Sequence, residues 1–178
     1  MNPAHTHLIL NHIPVVGIGF GLLLLAYALI RKSDELKRAG LGFVVLIAIA
    51  AVGAQLTGEP AEEAIEHLPG VVGSLIERHE ESALLATIAT GVVGAIALAG
   101  LIIARRSAKL LTAFTVGALA VSVVAGVLMA RTANFGGEIR HPEIRANATA
   151  ATGSEAVEEG GENERNGRGR GRDRDRKE

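Results

Sequence analysis

"GLGFVVLIAIAAVGAQLTG", residues 40–58, is nineteen residues long and holds no charged side chain. Its apolar residues run on without alternating, and its polar groups, Gln55 and Thr57, come only at the end. A half-buried strand would alternate; an apolar run this long reads as a helix that crosses a bilayer. At about 1.5 Å per residue it spans most of a hydrocarbon core about 30 Å thick. A bilayer admits only helices and closed barrels, since every backbone polar group must find an internal partner. The unbroken run selects the helix.

Three more runs of the same kind surround it. Spans are expected at residues 7–30, 39–57, 82–104 and 109–130. The first closes on Arg31-Lys32 and the third on Arg105-Arg106. Short loops, "KSDELKR" and "RRSAK", join the outer pairs, and short loops join antiparallel neighbours. The fold class expected is all-α: an antiparallel bundle of four transmembrane helices within residues 1–145. The long middle connection, "EPAEEAIEHLPGVVGSLIERHEE", has room for a short amphipathic helix over 60–68. Pro69-Gly70 should break it, and a second short helix should lead from residue 71 into the third span. Residues 146–178 are rich in Gly, Glu, Asn and Arg, cannot bury a core, and read as a disordered charged tail. Arg-Gly runs occur there, but interleaved acids argue against a nucleic-acid partner.

Composition narrows the chemistry. The chain of 178 residues is 48% hydrophobic but only 3% aromatic, so its apolar mass is aliphatic. It has no cysteine, which excludes disulfides, covalent c-type haem and thiolate metal sites. There is no phosphate loop, dinucleotide fingerprint or nucleophile elbow. No span carries a mid-membrane charge of the sort a transport path would want.

Basic residues orient the spans. Arg31, Lys32, Lys37, Arg38, Arg105, Arg106 and Lys109 all fall on one side, against Arg78 and Arg131 close to span ends on the other. The positive-inside rule makes the first side cytoplasmic and puts both termini and the middle loop outside. The first run is preceded by "MNPAHTH", without Lys or Arg, the reverse of a secretory signal.

With that topology all six histidines face outward: His5, His7 and His12 before or within the head of the first span, His67 in the loop, His79 at the head of the third span, and His141 after the fourth. His12 lies about one turn below the expected surface, where an ionisable group usually faces the bundle interior or a partner. The expectation is that His12 and His79 turn inward at similar depth. Carboxylates collect on the same side. Among them Glu63 and His67, four apart on the proposed loop helix, would share a face. Small residues recur at Gly17 and Gly21, at Ala50 and Ala54, and at Ala83, Ala86, Thr90, Gly94 and Ala97, a pattern that lets helices approach closely.

The segment His7-Leu8-Ile9-Leu10-Asn11-His12-Ile13-Pro14 has the form H-x-x-x-x-H-[FI]-P. With "NFGGEIRH", residues 134–141, it resembles a family of small bacterial four-span membrane proteins catalogued as a domain of unknown function. That family has a Gly-Gly segment and a histidine after its last span. The likeness covers about residues 5–141. It departs in bringing His141 closer to the glycine pair, with no aromatic residue between. The resemblance implies a bacterial inner membrane, in which the termini that the basic residues place outside would be periplasmic. Because some members are fused to redox domains, it also implies electron-transfer surroundings.

Three readings of the histidines stay open. A haem b would take two axial imidazoles from His12, His79 and His141, with Arg78 and Arg140 at its propionates. A divalent metal would draw on His7, His12, His67, His79, His141 and Glu63. A cofactor-free assembly subunit would use its histidines as interfacial hydrogen-bonding groups. Besides the lipid bilayer, the partners expected are a membrane redox protein or a second copy of the chain.

Overall fold

Asn2 starts the first helix in the way its side chain favours: its amide oxygen accepts from Ala4 N at 3.0 Å, and Pro3 follows where a missing N–H costs nothing. The computed structural model describes residues 2–145. Helix α1 (Pro3–Ile30) runs through Pro14 without stopping. A tight turn at Arg31 and Lys32, the latter at φ +50°, leads to Ser33, which caps α2 (Asp34–Leu56) by accepting from Leu36 N. Asp34 and Glu35 stand in the first turn of α2, where the helix dipole favours negative charge. A short α3 (Gly58–Glu63) follows, then turns with Gly70 at φ +81°, then α4 (Gly73–Ile103). A 3-10 turn, Ala104–Arg106, leads into α5 (Ala108–Arg140). Among the described residues there is no strand. A separate unit begins at His141 and opens with a 3-10 turn, Pro142–Ile144. The tail expected at residues 146–178 lies outside the described residues.

Two expectations about the middle connection need correction. The loop helix ends at Glu63 instead of running to residue 68, and the segment 64–70 is a chain of turns. The short helix expected before the third span is the first part of α4 itself. Both long C-terminal helices outrun their apolar runs. α4 starts nine residues ahead of Ser82, and α5 continues ten past Ala130. Hydropathy ends there, but the packing pattern does not. Thr132, Phe135 and Ile139 on α5 and Ile76 on α4 stay buried among charged neighbours.

That pattern is clearest on α5. Its buried residues are Leu111, Thr115, Ala118, Ser122, Ala125, Met129 and Thr132, spaced alternately four and three apart. This is close to a 3.5-residue repeat, the spacing of a helix that packs along a nearly parallel neighbour axis. α5 packs most extensively on α4, α4 on α2, α2 on α1, and α1 closes the ring on α5. Small residues permit the close crossings. A Cβ on Gly94 of α4 would sit 2.5 Å from the Ala48 Cβ of α2, and one on Gly100 would sit 2.6 Å from the Phe114 Cβ of α5. Gly17 and Gly21 of α1 receive Ile47 and Val44 of α2 in the same way. The stripe expected on α4 is largely realised, with Ala86, Thr90, Gly94 and Ala97 all buried.

The bundle wears its largest apolar groups outside. Ile30, Leu56 and Leu23 are 77%, 74% and 68% exposed, whereas Thr90, Thr115 and Ser122 are fully buried. Water around such a surface would be costly. α1, α2, α4 with its following turn, and α5 are each long and apolar enough to cross a membrane.

The two ends differ in chemistry. At one, Lys37 is buried and its Nζ donates to Asp34 Oδ1 at 2.8 Å and Thr112 Oγ1 at 2.9 Å, tying the start of α2 to the start of α5. Arg38 Nη2 donates to the Arg105 carbonyl at 3.1 Å, bringing in the end of α4. At the other end stand the histidines.

Candidate functional site

Two imidazoles join helices at the histidine end. His7 of α1 reaches the last turn of α2, where its Nδ1 lies 3.1 Å from the Ala54 carbonyl and 3.0 Å from Thr57 Oγ1. His79 of α4 reaches α5, with Nδ1 3.0 Å from the Thr132 carbonyl. A carbonyl oxygen can only accept, so Nδ1 carries the proton in each ring. That tautomer leaves both Nε2 atoms as lone pairs. It is also the arrangement in which a histidine ligand is oriented by its second nitrogen.

Local sequence explains why each ring fits. α2 ends at Thr57, whose hydroxyl donates back to Ala54 O at 2.9 Å, so carbonyl and hydroxyl converge where His7 arrives. His79 lies against Gly136, where a Cβ would approach its Cε1 to 3.1 Å. Below it Ser82 Oγ and Thr132 Oγ1 are 2.8 Å apart. Thr132 Oγ1 donates to Leu128 O at 2.9 Å, so Ser82 is the donor to Thr132. The three groups stitch α4 to α5 through otherwise apolar packing.

The short helix α3 lies beside His7 and reaches the neighbour of His79. Gly58 at its start borders the His7 ring, and Glu62 near its end meets the carboxyl of Glu80, the neighbour of His79. The Glu80 carboxyl raises Glu62 above the usual carboxylate range, and partial burial and Glu66 add to the effect. Two such carboxyls hold together only by sharing a proton.

Of the other expected members, His12, Glu63 and His67 stand apart. His12 does not turn inward. It is exposed, in line with Leu8 and Val16 four residues to either side, and its Nδ1 donates to the Leu8 carbonyl of its own helix at 2.5 Å. The reason is periodicity. Pro14, Gly17, Ile18 and Gly21 form the buried face of α1, and position 12 falls on the opposite side. Glu63 and His67 are both exposed. With the helix ended at Glu63 they share no helical face, and His67 Nε2 pairs with Glu66 at 3.3 Å. His5 is exposed. His141 belongs to the second unit, where its Nδ1 contacts Glu143 Oε1 at 2.8 Å. Glu143 is held below its ordinary range by its own backbone N–H first and by His141 next. Arg78, expected at a propionate, stacks over Phe135 at 4.6 Å, with Arg131 on the same ring at 5.3 Å. Among the described residues no three His, Asp or Glu side chains gather closely enough to hold a metal ion.

Sequence reasoning weighed His7 below His12 and passed over Thr57, Ser82 and Thr132. One signal was available for His7: position 7 precedes Pro14 by seven residues and Gly17 by ten, which keeps it near the small-residue face. Gly136 stood in the quoted glycine pair, but nothing in the sequence shows that its missing Cβ makes room for His79.

The chain matches no protein-family model, no curated protein and no solved structure.

Proposed function

We propose that this chain is an integral membrane protein of four antiparallel spans, with the histidine end on the periplasmic face of a bacterial inner membrane. In this reading it is a subunit that carries a metal centre between His7 and His79 for electron transfer. Its partner is then a membrane redox protein, and the motif likeness at residues 7–14 and 134–141 belongs to the same proposal. The antiparallel arrangement draws support from the contacts that join the start of α1 to the end of α2 and the start of α4 to the end of α5. The orientation draws support from Arg31, Lys32, Arg38, Arg105, Arg106 and Lys109 at the opposite end.

The observation that carries the site is the matched pair of Nδ1–H···O=C bonds, which fixes both rings in the tautomer whose Nε2 is a lone pair, on two helices at the same end of the bundle. Haem b iron asks the protein for two axial imidazoles and no more. A bare divalent ion would need further donors, and among the described residues no third His, Asp or Glu side chain gathers with the two imidazoles. The test is the visible spectrum of the detergent-purified protein together with metal analysis of the same sample. A Soret band selects haem. Stoichiometric metal without one selects the bare ion.

A second reading rests on its own observation. Each ring already bridges two helices through Nδ1, so His7 and His79 can serve as helix staples in a cofactor-free assembly subunit. A colourless, metal-free protein that keeps its full thermal stability supports that reading against the first.

A further inference from the structure

The turn between α4 and α5 carries Arg105, Arg106 and, one step into α5, Lys109, and it contains no acid. Arg38 joins them from α2, held by its bond to the Arg105 carbonyl at 3.1 Å. All four are at least partly exposed. Among the described residues no carboxylate is paired with any of them; Asp34, the acid of the neighbouring turn, is taken by Lys37. Directly below this basic turn an open groove of about 220 Å³ lies between α4 and α5, lined by Ile96, Ala113, Phe114 and Gly117. Lys109, Ala113 and Gly117 follow each other at intervals of four, so they share one face of α5. By helix rise Lys109 stands about 6 Å above Ala113 and about 12 Å above Gly117. The groove exists because Gly117 has no side chain. A Cβ there would meet only Ile96 Cγ2, at an ordinary 3.8 Å.

A cationic head above an apolar slot, at this spacing, complements one kind of molecule. We propose that the α4–α5 groove binds an anionic phospholipid. Its phosphate lies on Arg105, Arg106 and Lys109, and one acyl chain runs down past Ala113 to Gly117. The inference rests on the spanning, basic-end-inward reading above, in which this turn meets the anionic leaflet surface. The larger apolar groove at Phe20, Leu23, Leu24 and Phe43 lacks the same complement, because Asp34 and Glu35 share the turn above it with Arg31 and Lys32.

The test uses the full chain purified in an uncharged detergent. Thermal unfolding is followed while phosphatidylglycerol, phosphatidylcholine or glycerol phosphate is added. Phosphatidylglycerol should raise the midpoint at a concentration about tenfold lower than phosphatidylcholine, as a few cationic contacts predict. Glycerol phosphate, which has the headgroup chemistry without the chains, should have no effect. The R105Q/R106Q/K109Q variant should respond equally to both lipids. Gly117→Leu puts a side chain into the slot, where its Cβ meets only Ile96 Cγ2 at 3.8 Å, so it should lose the phosphatidylglycerol response. Equal potency of the two lipids on wild type overturns the inference, as does glycerol phosphate reproducing the shift. An undiminished response in the triple variant overturns it too, and that variant carries the test if Gly117→Leu does not fold. Failure of the underlying reading looks different: the chain would then stay in solution when cell membranes are pelleted, before any lipid is added.

Discussion

Gly94→Ala sets two opposed effects against each other at a site where geometry decides the winner. In a helix interior, Ala is favoured over Gly by about 0.8–1 kcal/mol. At Gly94, however, the new Cβ would sit 2.5 Å from the Cβ of Ala48. Both atoms are fixed to backbone, so no rotamer change relieves the contact. α2 and α4 must separate by about 1 Å, and a gap of that size forfeits about a quarter to a half of the dispersion energy along the seam. Overpacking of this kind costs about 1–3 kcal/mol. The propensity gain offsets part of it and leaves a net loss of up to about 2 kcal/mol. For a chain of this size that is a fall in midpoint of up to about 8 °C. Gly91, three residues earlier on α4, is the internal control: a Cβ there meets nothing within 4 Å. Gly91→Ala should match or exceed wild type. Thermal unfolding of the detergent-solubilised variants, followed by far-UV circular dichroism, reads both. If Gly94→Ala proves as stable as Gly91→Ala, α2 and α4 do not cross at Ala48 and the packing argument is wrong.

Other expectations follow from the two ends. Thr132→Val removes the acceptor of Ser82, whose buried hydroxyl is left unpaired at a cost of about 1–3 kcal/mol; adding Ser82→Ala should recover part of the loss in the same unfolding assay, and a double variant worse than the single contradicts the pairing. Glu62 binds its proton more tightly when folded, so the stabilisation is complete below the ordinary carboxylate range and fades as pH rises through its raised folded value. Protease cleavage within residues 64–72 should accordingly increase from mildly acidic to neutral pH, and Glu62→Gln should remove that dependence; an unchanged dependence in the variant refutes the shared proton. Reporter fusions at residue 35 and after residue 145 should label opposite sides of the membrane, and labelling of both from the cytoplasm would overturn the topology.

Hydropathy and charge made the four long helices legible before any coordinate was known. Aliphatic runs and the Arg and Lys pairs that close them are local signals, readable residue by residue. The ends of α4 and α5 were not legible, because Glu77, Arg78, Glu80, Arg131 and Glu138 mask a seam that only Ile76, Thr132, Phe135 and Ile139 continue. The imidazole pair was half legible. His79 stood out as a histidine at the head of a span, but choosing between His7 and His12 needed the phase of α1. That phase is set by which face Gly17 and Gly21 present to Ile47 and Val44 of α2; the spacing of His7 from Pro14 and Gly17 hints at it, but the depth of His12 below the expected surface pointed the other way. Glu62 and Glu80 were visible only as members of an acidic group, since their pairing depends on where α3 stops.

The central claim is that His7 and His79 act as one two-imidazole site while His12 stands outside it. It is tested most directly by measuring the bound centre, as absorbance and as metal per chain, in His7→Ala, His79→Ala and His12→Ala proteins purified alongside wild type, with far-UV circular dichroism to establish that each is folded. The account predicts that wild type and His12→Ala carry the centre in equal amount and that either of the other two substitutions abolishes it. Loss of the centre in His12→Ala with retention in His7→Ala would contradict it.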